Sequence, residues 1–580
     1  MKIGNAEYTK KKERKKGIRV VFQVAFLLFL LAIAVSGWFD RPIYTTQIAP
    51  ISKDNGFVAI SYFGVDRTEG SDRVSTERLK EHLQALHEAG FVTITQKDVQ
   101  DYYQKGKLLP ERSLFLLFED GRKDTAMFSH ELLSTLNYKA TMFSYAEKFD
   151  KKDDRFLVPE DLKKLEESSF WEMGVNGYRL AYINVYDQNG TYLGDMDHPG
   201  FLKKRREIGL VYNHYLMDYL RDKDGVPREA LKGMQERISR DYRNMKELYR
   251  DELGYVPEFY ALMHANTGRF GTDEQVSGVN EQWIHDLFKA NFNREGFCLN
   301  KRNRSIYDLT RMEPQSYWFV NHLLMRIGDE TKQEMPFVTG DERRHRSWDL
   351  LQGALELKDE AAVLTSSSYG KGLALLKNSD DFEDIKVNVS LQGNFIGLQR
   401  LYLRADAALQ RYVSVYILNN VLYVTERVAG KEKELLRKEL PWRNPYEGKQ
   451  WLNKLGQIFG VAEKFSMPPD ALSLQTPSTH ELALTMESAK LQIAVDGQPE
   501  ETVLLSSAQG GSVLLESAWG DYGAKVPALK DPVYDGVFEG LVIRNARRTD
   551  KVLYDGRLQG MASVLFWLKK ESADLLRLFM

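Results

Sequence analysis

Cysteine is almost missing from this 580-residue chain: Cys298 is the only one, which excludes an intrachain disulfide framework and a cysteine-built zinc site. That scarcity suits the cytosol and a Gram-positive cell surface equally. No charge sign dominates either, with 80 Lys and Arg against 82 Asp and Glu and a formal charge of −2. A nucleic-acid binder needs a concentrated basic face to displace counterions from phosphates, so no nucleic-acid partner is expected. Wholesale disorder is excluded by 43% hydrophobic and 12% aromatic residues, enough to build large cores. At roughly 100–200 residues per domain, two to four domains fit in the chain.

Long apolar runs are equally scarce, and the one present lies at the start. Residues 20–39 read VVFQVAFLLFLLAIAVSGWF, with Gln23 and Ser36 the polar members. Such a run, at about 1.5 Å per residue, matches a bilayer core of roughly 30 Å. Immediately before it, residues 1–19 hold eight basic side chains against Glu7 and Glu13. That tail is +6 and the remainder of the chain −8. The positive-inside rule then keeps the tail (1–19) cytoplasmic and places residues 40–580 outside, on a single-pass signal-anchor at 20–39. A cleaved signal peptide is the rival, but Ala32-Ile33-Ala34 lies inside the apolar run instead of after it. The expected location is the cell membrane with the bulk extracytoplasmic. At the far end, residues 549–580 read as a hairpin and helix in which Val564, Leu565, Leu568, Leu575, Leu576 and Phe579 recur at helical spacing. That helix would dock on a domain, or meet a membrane surface or a partner helix.

Between these ends, residues 57–63 (FVAISYF) have the apolar text of a buried strand. Ser75 is a fitting N-cap for a helix with Leu79, Leu83 and Leu86 on one face and Gly90 at its stop. Residues 91–95 form another strand-sized piece, followed by the helical text KDVQDYYQKGK. Leu114–Phe118 (LFLLF) runs straight into Glu119-Asp120-Gly121, followed by a helix over Thr125–Leu136 and a strand over Ala140–Phe143. Strands alternating with helices imply parallel pairing in an α/β sheet or barrel. Chemistry in such folds gathers at the carboxyl ends of strands, which is where Glu119 and Asp120 stand.

Residues 57–143 resemble a NodB-like polysaccharide deacetylase of carbohydrate esterase family four. The resemblance rests on Ser61-Tyr62 at a strand end, AGFVTIT, Leu108-Leu109-Pro110, the acidic turn FEDG and the strand KATMF. It continues through residues 157–182, LVPEDLKKLEESSFWEMGVNGYRLAY. The family's turn is Thr-Phe-Asp-Asp-Gly, so the resemblance implies Glu119 as general base and Asp120 as a ligand to a divalent metal such as zinc. Two histidines four apart normally complete that metal site, and this chain has Asn176 and Leu180 there. Leucine cannot ligate, and an amide oxygen is a poor substitute for imidazole on zinc, so metal-assisted deacetylation is in doubt. His264, after a strand-like stretch, is a candidate to line the cleft near Asp120. His130, Asp195, Asp197, His198, His214 and His264 are candidates for a rebuilt ligand set; for the Asp195–His198 cluster a solvated loop over residues 184–199 is the plainer reading. Arg269 and Arg311 are candidate partners for a buried carboxylate, or surface ion pairs. Charged, helical text fills residues 201–254, with Lys203–Arg206 as a solvated helix face, and the barrel-like domain spans 40–345.

Beyond the polar junction DERRHRSWD the text changes to short alternating runs: IKVNVSL, YVSVYI, LQIAVDG, GVFEGLVI, with Asn419-Asn420 and Asp496-Gly497 as turns. This argues for a β-sandwich over 353–548, similar in order to a concanavalin-type jelly roll. Such modules contact carbohydrate on one sheet face, and Tyr412 and Tyr416, with Tyr402 and Tyr423, are candidates for it. Cross-strand packing is their competing role. The fold class is therefore α/β plus all-β. The function implied is a membrane-anchored protein of exopolysaccharide or envelope-glycan metabolism, with a polysaccharide and a polysaccharide synthase complex as partners. It would act as an altered deacetylase, as a catalytically inactive glycan-binding or scaffolding component, or as a glycan-processing enzyme that uses Glu119 and Asp120 alone.

Overall fold

The computed structural model describes residues 23–24, 42–47, 50, 56–67, 73–150, 153–187, 189–204, 207–209, 211–262, 273–443, 445, 476–520 and 531–578. All but two residues of the expected anchor at 20–39 lie outside these, as does His264. Among the described residues no helix is long and apolar enough to cross a membrane.

Seven parallel strands, β1 (Phe57–Tyr62), β2 (Ser113–Phe118), β3 (Ala140–Tyr145), β4 (Trp171–Gly177), β5 (Phe259–Ala261), β6 (Ala290–Glu295) and β7 (Leu309–Arg311), lie side by side in chain order. The sheet nearly closes on itself. At the seam the Ser61 N–H donates to the Met312 carbonyl (2.8 Å) and the Met312 N–H to the Ala59 carbonyl (3.0 Å). Lower down, Leu299–Asn300 pairs antiparallel with Phe57 and Val58. A barrel buries every strand on both faces, so β2 reads as an apolar run from Leu114 to Phe118 and β3 is buried at every position, instead of alternating in and out. Phe115 stacks on Phe259 and Phe292 inside, ring centroids 5.6 and 5.3 Å apart. Helices close the outside: Thr76–Glu88, capped by Ser75 accepting from the Arg78 N–H, Lys123–Leu136, Leu231–Leu253, Glu274–Leu287 and Val320–Thr331.

Two sequence expectations are corrected. The segment 184–199 is no simple loop: Ala181–Tyr186, Tyr192–Asp197 and Asn213–His214 form a three-stranded antiparallel sheet inserted after β4. Residues 201–254 are not helical throughout: among the described residues the helices there are His198–Lys204 and Leu231–Leu253. Between them, polar bonding replaces helical bonding: Asn184 donates to Asp218 (3.1 Å) and to the Tyr219 carbonyl (2.8 Å), and Arg221 grips Asp218 (2.8 Å). Side chains that satisfy the backbone this way compete with a helix.

The second half is two antiparallel sheets. One runs in the order 348–352, 371–376, 512–519, 397–405, 412–418, 421–428, 431–439; the other runs 354–358, 361–365, 535–545, 385–394, 477–487, 490–495, 501–504, with 552–555 added beside 535–545. A single apolar core fills the gap between them, including Leu401, Val415 and Val424 from the first sheet and Val387, Leu484 and Ile543 from the second. Asn419-Asn420 and Asp496-Gly497 have positive φ at both residues (51° and 63°, 53° and 70°), the turn geometry that two-residue hairpins need.

The halves meet over a buried ionic cluster. His322, on the helix Val320–Thr331, bonds through Nδ1 to Asp535 (2.9 Å) and through Nε2 to Asp531 (3.0 Å). Arg326 pairs with Asp531 (3.1 Å), Thr365 donates to Asp535 (2.6 Å), and the Trp318 ring stacks on His322 at 4.4 Å.

Candidate functional site

Alternation along a strand decides which side chains reach the mouth of the barrel. In β2, Phe115 and Leu117 belong to the barrel's interior cluster; two residues further, Glu119 falls on the same inner face. In β7, Leu309 is interior, and Arg311 and then Glu313 follow at the same spacing. A polar layer therefore sits directly on an apolar floor. Glu119 and Arg311 are both fully buried and form a two-pronged ion pair, with Arg311 Nη2 to Glu119 Oε2 at 3.1 Å and Nε to Oε1 beside it. Ser61 Oγ donates to Oε1 (2.6 Å) and Asn176 Nδ2 to Oε2 (3.0 Å). Arg311 also reaches Glu295 (3.2 Å) and the Leu262 carbonyl (3.4 Å). Four donors saturate Glu119, so as placed it has no lone pair directed at a ligand.

Asp120 turns the other way. Its φ is +70°, and its N–H donates to Asn176 Oδ1 at 3.2 Å. Gly121 follows at φ +60°, where an added Cβ would lie 2.7 Å from Ser144 Cβ. The turn thus demands glycine at the second position and delivers Asp120 to the mouth half-buried. Burial, then the charge on Glu119, pushes the Asp120 carboxyl up to about 7, with Arg122, Lys148 and Arg73 only partly offsetting. Glu313 is held well above the usual carboxylate range by burial and by Glu295, with Glu119 and Asp120 adding to it. Asp120 Oδ1 and Glu313 Oε1 are enclosed without a hydrogen-bond partner among the described residues, an arrangement costly unless a ligand or solvent supplies a donor.

The expected metal set does not assemble from the described residues. Asn176 spends its amide on the scaffold: Nδ2 donates to Glu119 and to the Ala261 carbonyl (3.1 Å), and Oδ1 accepts from Asp120. Leu180 is buried among Tyr145, Tyr182, Val185, Phe201 and Ile208, where the second histidine would be expected. Zinc asks for about four nitrogen, sulfur or oxygen donors, and these positions leave Asp120 alone. The alternative ligands are dispersed. His130 accepts from the Trp171 indole (3.2 Å), Asp195 bonds the Asn184 N–H (3.1 Å), Asp197 caps Gly200 (2.9 Å) and His214 bonds the Arg179 carbonyl (3.2 Å). Among the described residues no three His, Cys, Asp or Glu gather as a metal site. His198, with its ring 6.3 Å from Tyr182, sits at the head of a short helix.

An aromatic wall stands beside the acids. Tyr182 stacks on Phe201 (3.9 Å), Tyr212 meets both edge-on, and Phe63 packs on the same cluster while lying 5.9 Å from the Arg311 guanidinium. On the sandwich, Tyr412 and Tyr416 are both buried. Tyr412 packs edge-on against Tyr402 (4.9 Å), and Tyr416 stacks on Tyr423 (5.1 Å) under Arg400 (4.0 Å). Of the two roles the sequence left open for Arg311, a buried-carboxylate partner or a surface ion pair, it takes the first, whereas Arg269 lies outside the described residues. Glu295 and Glu313 were not singled out by sequence reasoning, and Ser61 was singled out only as a strand end, not as a site residue. Glu313 had a signal in the two-residue step from Arg311, which is readable only once β7 is placed.

No family model matches the chain. In sequence it is similar to the poly-β-1,6-N-acetyl-D-glucosamine N-deacetylase of Escherichia coli O157:H7, 36% identical over 227 residues, and to that of Escherichia coli strain K12, 24% identical over 227 residues. Each match takes in 38% of this chain and 32% of the relative, so the chain spans about a third of the length of these relatives. Among solved structures, the BpsB deacetylase domain of Bordetella bronchiseptica aligns with a TM-score of 0.34 and 14% identity, over 46% of this chain and 98% of that one. The chain's resemblance to polysaccharide deacetylases is present in its sequence.

Proposed function

We propose that this chain is a membrane-anchored, extracytoplasmic protein of exopolysaccharide metabolism. Its deacetylase-like barrel binds a polymer of N-acetylated amino sugar without metal-assisted hydrolysis. The observation that carries this reading is the pair of enclosed, donorless carboxylate oxygens, Asp120 Oδ1 and Glu313 Oε1. Sugar hydroxyls and acetamido N–H groups are the donors these oxygens lack, and the apolar faces of pyranose rings suit the partly exposed Phe63 and Tyr212. Similarity to poly-β-1,6-N-acetyl-D-glucosamine deacetylases makes that polymer the first substrate class to try. Metal-assisted hydrolysis finds no support in the donors: Leu180 is apolar and Asn176 is bonded at both ends. A scaffold beside a polysaccharide synthase complex, held to the membrane by residues 20–39, is the setting we propose. The sheet that buries Tyr412 and Tyr416 would serve as a second carbohydrate contact through the partly exposed Tyr423 stacked on Tyr416.

The test is retention of the full chain on immobilised β-1,6-linked N-acetylglucosamine polymer, with and without a chelator. Saturable retention that the chelator leaves intact and Asp120→Ala weakens about tenfold or more supports the reading, a good buried charge-assisted bond being worth about 1.5–3 kcal/mol. Retention abolished by the chelator overturns it.

A second reading has its own observation. An Asp120 carboxyl brought to about 7 is matched to proton transfer at neutral pH, as an altered deacetylase would need. Acetate release that disappears in Asp120→Asn while retention survives would favour that enzyme.

A further inference from the structure

The last helix, Met561–Leu578, leaves an apolar stripe in water. Met561, Val564, Leu565 and Leu568 follow one another at steps of three, one and three, the repeat of a single helix face. Their exposures are 73%, 51%, 60% and 51%, with Trp567 beside them at 56%. What holds the helix to the molecule lies on its other side. Lys570 pairs with Glu539 of the strand 535–545 at 3.1 Å, and Ser563 and Phe566 are half-buried. At about 100° per residue these three fall on one side, opposite the stripe. The stripe therefore faces away from the sandwich, although four large apolar side chains on one face are ordinarily covered.

Charge says what covers it. From Arg544 to Met580 the chain carries eight basic side chains against four acidic, a net +4. With the +6 tail at residues 1–19, this leaves the 524 residues between at −12, 64 basic against 76 acidic. Arg547, Arg548, Lys551 and Arg557, on the turn and edge strand that lead into the helix, are all exposed. A helix that shows an apolar stripe with a tryptophan and is preceded by exposed cations, on an otherwise acidic body, matches an anionic lipid interface: its apolar face enters the acyl boundary and the cations meet the headgroups. A second copy of the chain would bring the same +4 segment against itself.

We propose that the helix Met561–Leu578 lies on a lipid surface bearing anionic headgroups, entered by Met561, Val564, Leu565, Trp567 and Leu568. It is a membrane contact separate from the run at 20–39.

The full chain reconstituted into vesicles tests this. Cys298 is buried and its thiol is pushed well up by burial, so a polarity-sensitive fluorophore goes to an introduced cysteine at Leu568→Cys. A matched chain carries it at Leu504→Cys, 77% exposed on the sandwich rim near Glu500 and Glu501. In phosphatidylglycerol-rich vesicles the label at 568 should shift to the blue and be quenched by a lipid-borne quencher at least about twofold more than the label at 504, the contrast fading in phosphatidylcholine vesicles and in high salt. Adding Val564→Glu and Leu565→Glu should return the label at 568 to water. Equal access of an aqueous quencher to both positions overturns the proposal. Shielding that is indifferent to headgroup charge overturns it too, as does a disulfide forming between two copies through the cysteine at 568, which would identify a second chain as the cover.

Discussion

Glu119 stands where the sequence resemblance implies a general base, and in the structure its partners tie it into the scaffold. Two residues past Leu117 on β2, it points into the barrel, meets Arg311 and is saturated by Ser61 and Asn176. An ion pair with no access to water is neither a reservoir of stability nor a spare base, but breaking it is costly. Glu119→Gln or Arg311→Met should each lower unfolding free energy by about 3–5 kcal/mol in urea titrations, whereas the double replacement Glu119→Leu with Arg311→Met should cost less than either single change. Asp120 behaves oppositely. Its carboxyl is raised to about 7 from an unfolded value near 4, so the folded state holds the proton more tightly between those values. Its contribution to stability is greatest below about 4 and is lost as pH rises through 7. Asp120→Asn should remove that decline, and a wild-type-minus-variant difference in melting temperature that rises as pH falls from 7 to 4 would show it. Glu119, Asp120 and the Asn176/Leu180 departure were legible in the sequence because they sit in a motif. Glu313 and Glu295 were not, since only barrel closure brings β7 beside β1 and aims the ends of β6 and β7 across the interior at β2.

At the scale of elements, the alternation of strand and helix announced a parallel sheet, and the period-two text announced the sandwich. Asn-Asn and Asp-Gly announced hairpin turns, because few other residues tolerate two positive φ values in succession. What failed was the stretch from Asn184 to Gly225, where charge density suggested loop and helix. There Asn184, Asp218 and Arg221 bind backbone and one another, a contest that a window of sequence cannot decide. The junction of β2 with the following helix makes the element-scale prediction. Gly121→Ala combines φ +60° with a Cβ at 2.7 Å from Ser144, and it should destabilise the barrel by about 1–3 kcal/mol. Ser144→Gly in the same chain should recover part of that loss in thermal melts, the part due to the clash and not to the backbone.

For the whole molecule, the joint between barrel and sandwich is ionic and buried. His322 is raised to about 9, because Asp531 and Asp535 outweigh the effect of its burial. His82 nearby is lowered to about 3 by burial and Arg78, and Arg326 shares Asp531. A histidine raised in this way contributes stability that is complete below about 6.5 and is lost as pH climbs through 9. The full chain should therefore lose thermal stability between pH 7 and 10, and His322→Gln should flatten that slope while lowering stability at neutral pH.

The central claim is that the barrel holds an N-acetylated glycan at Asp120 and Glu313 without hydrolysing it. Its most direct test is a proton NMR titration of a β-1,6-linked N-acetylglucosamine oligomer with the full chain, zinc present, following bound and free acetyl resonances together. The account predicts saturable broadening of the oligomer's acetyl signal and no growth of free acetate. Free acetate that accumulates with time and stops when zinc is chelated would contradict it.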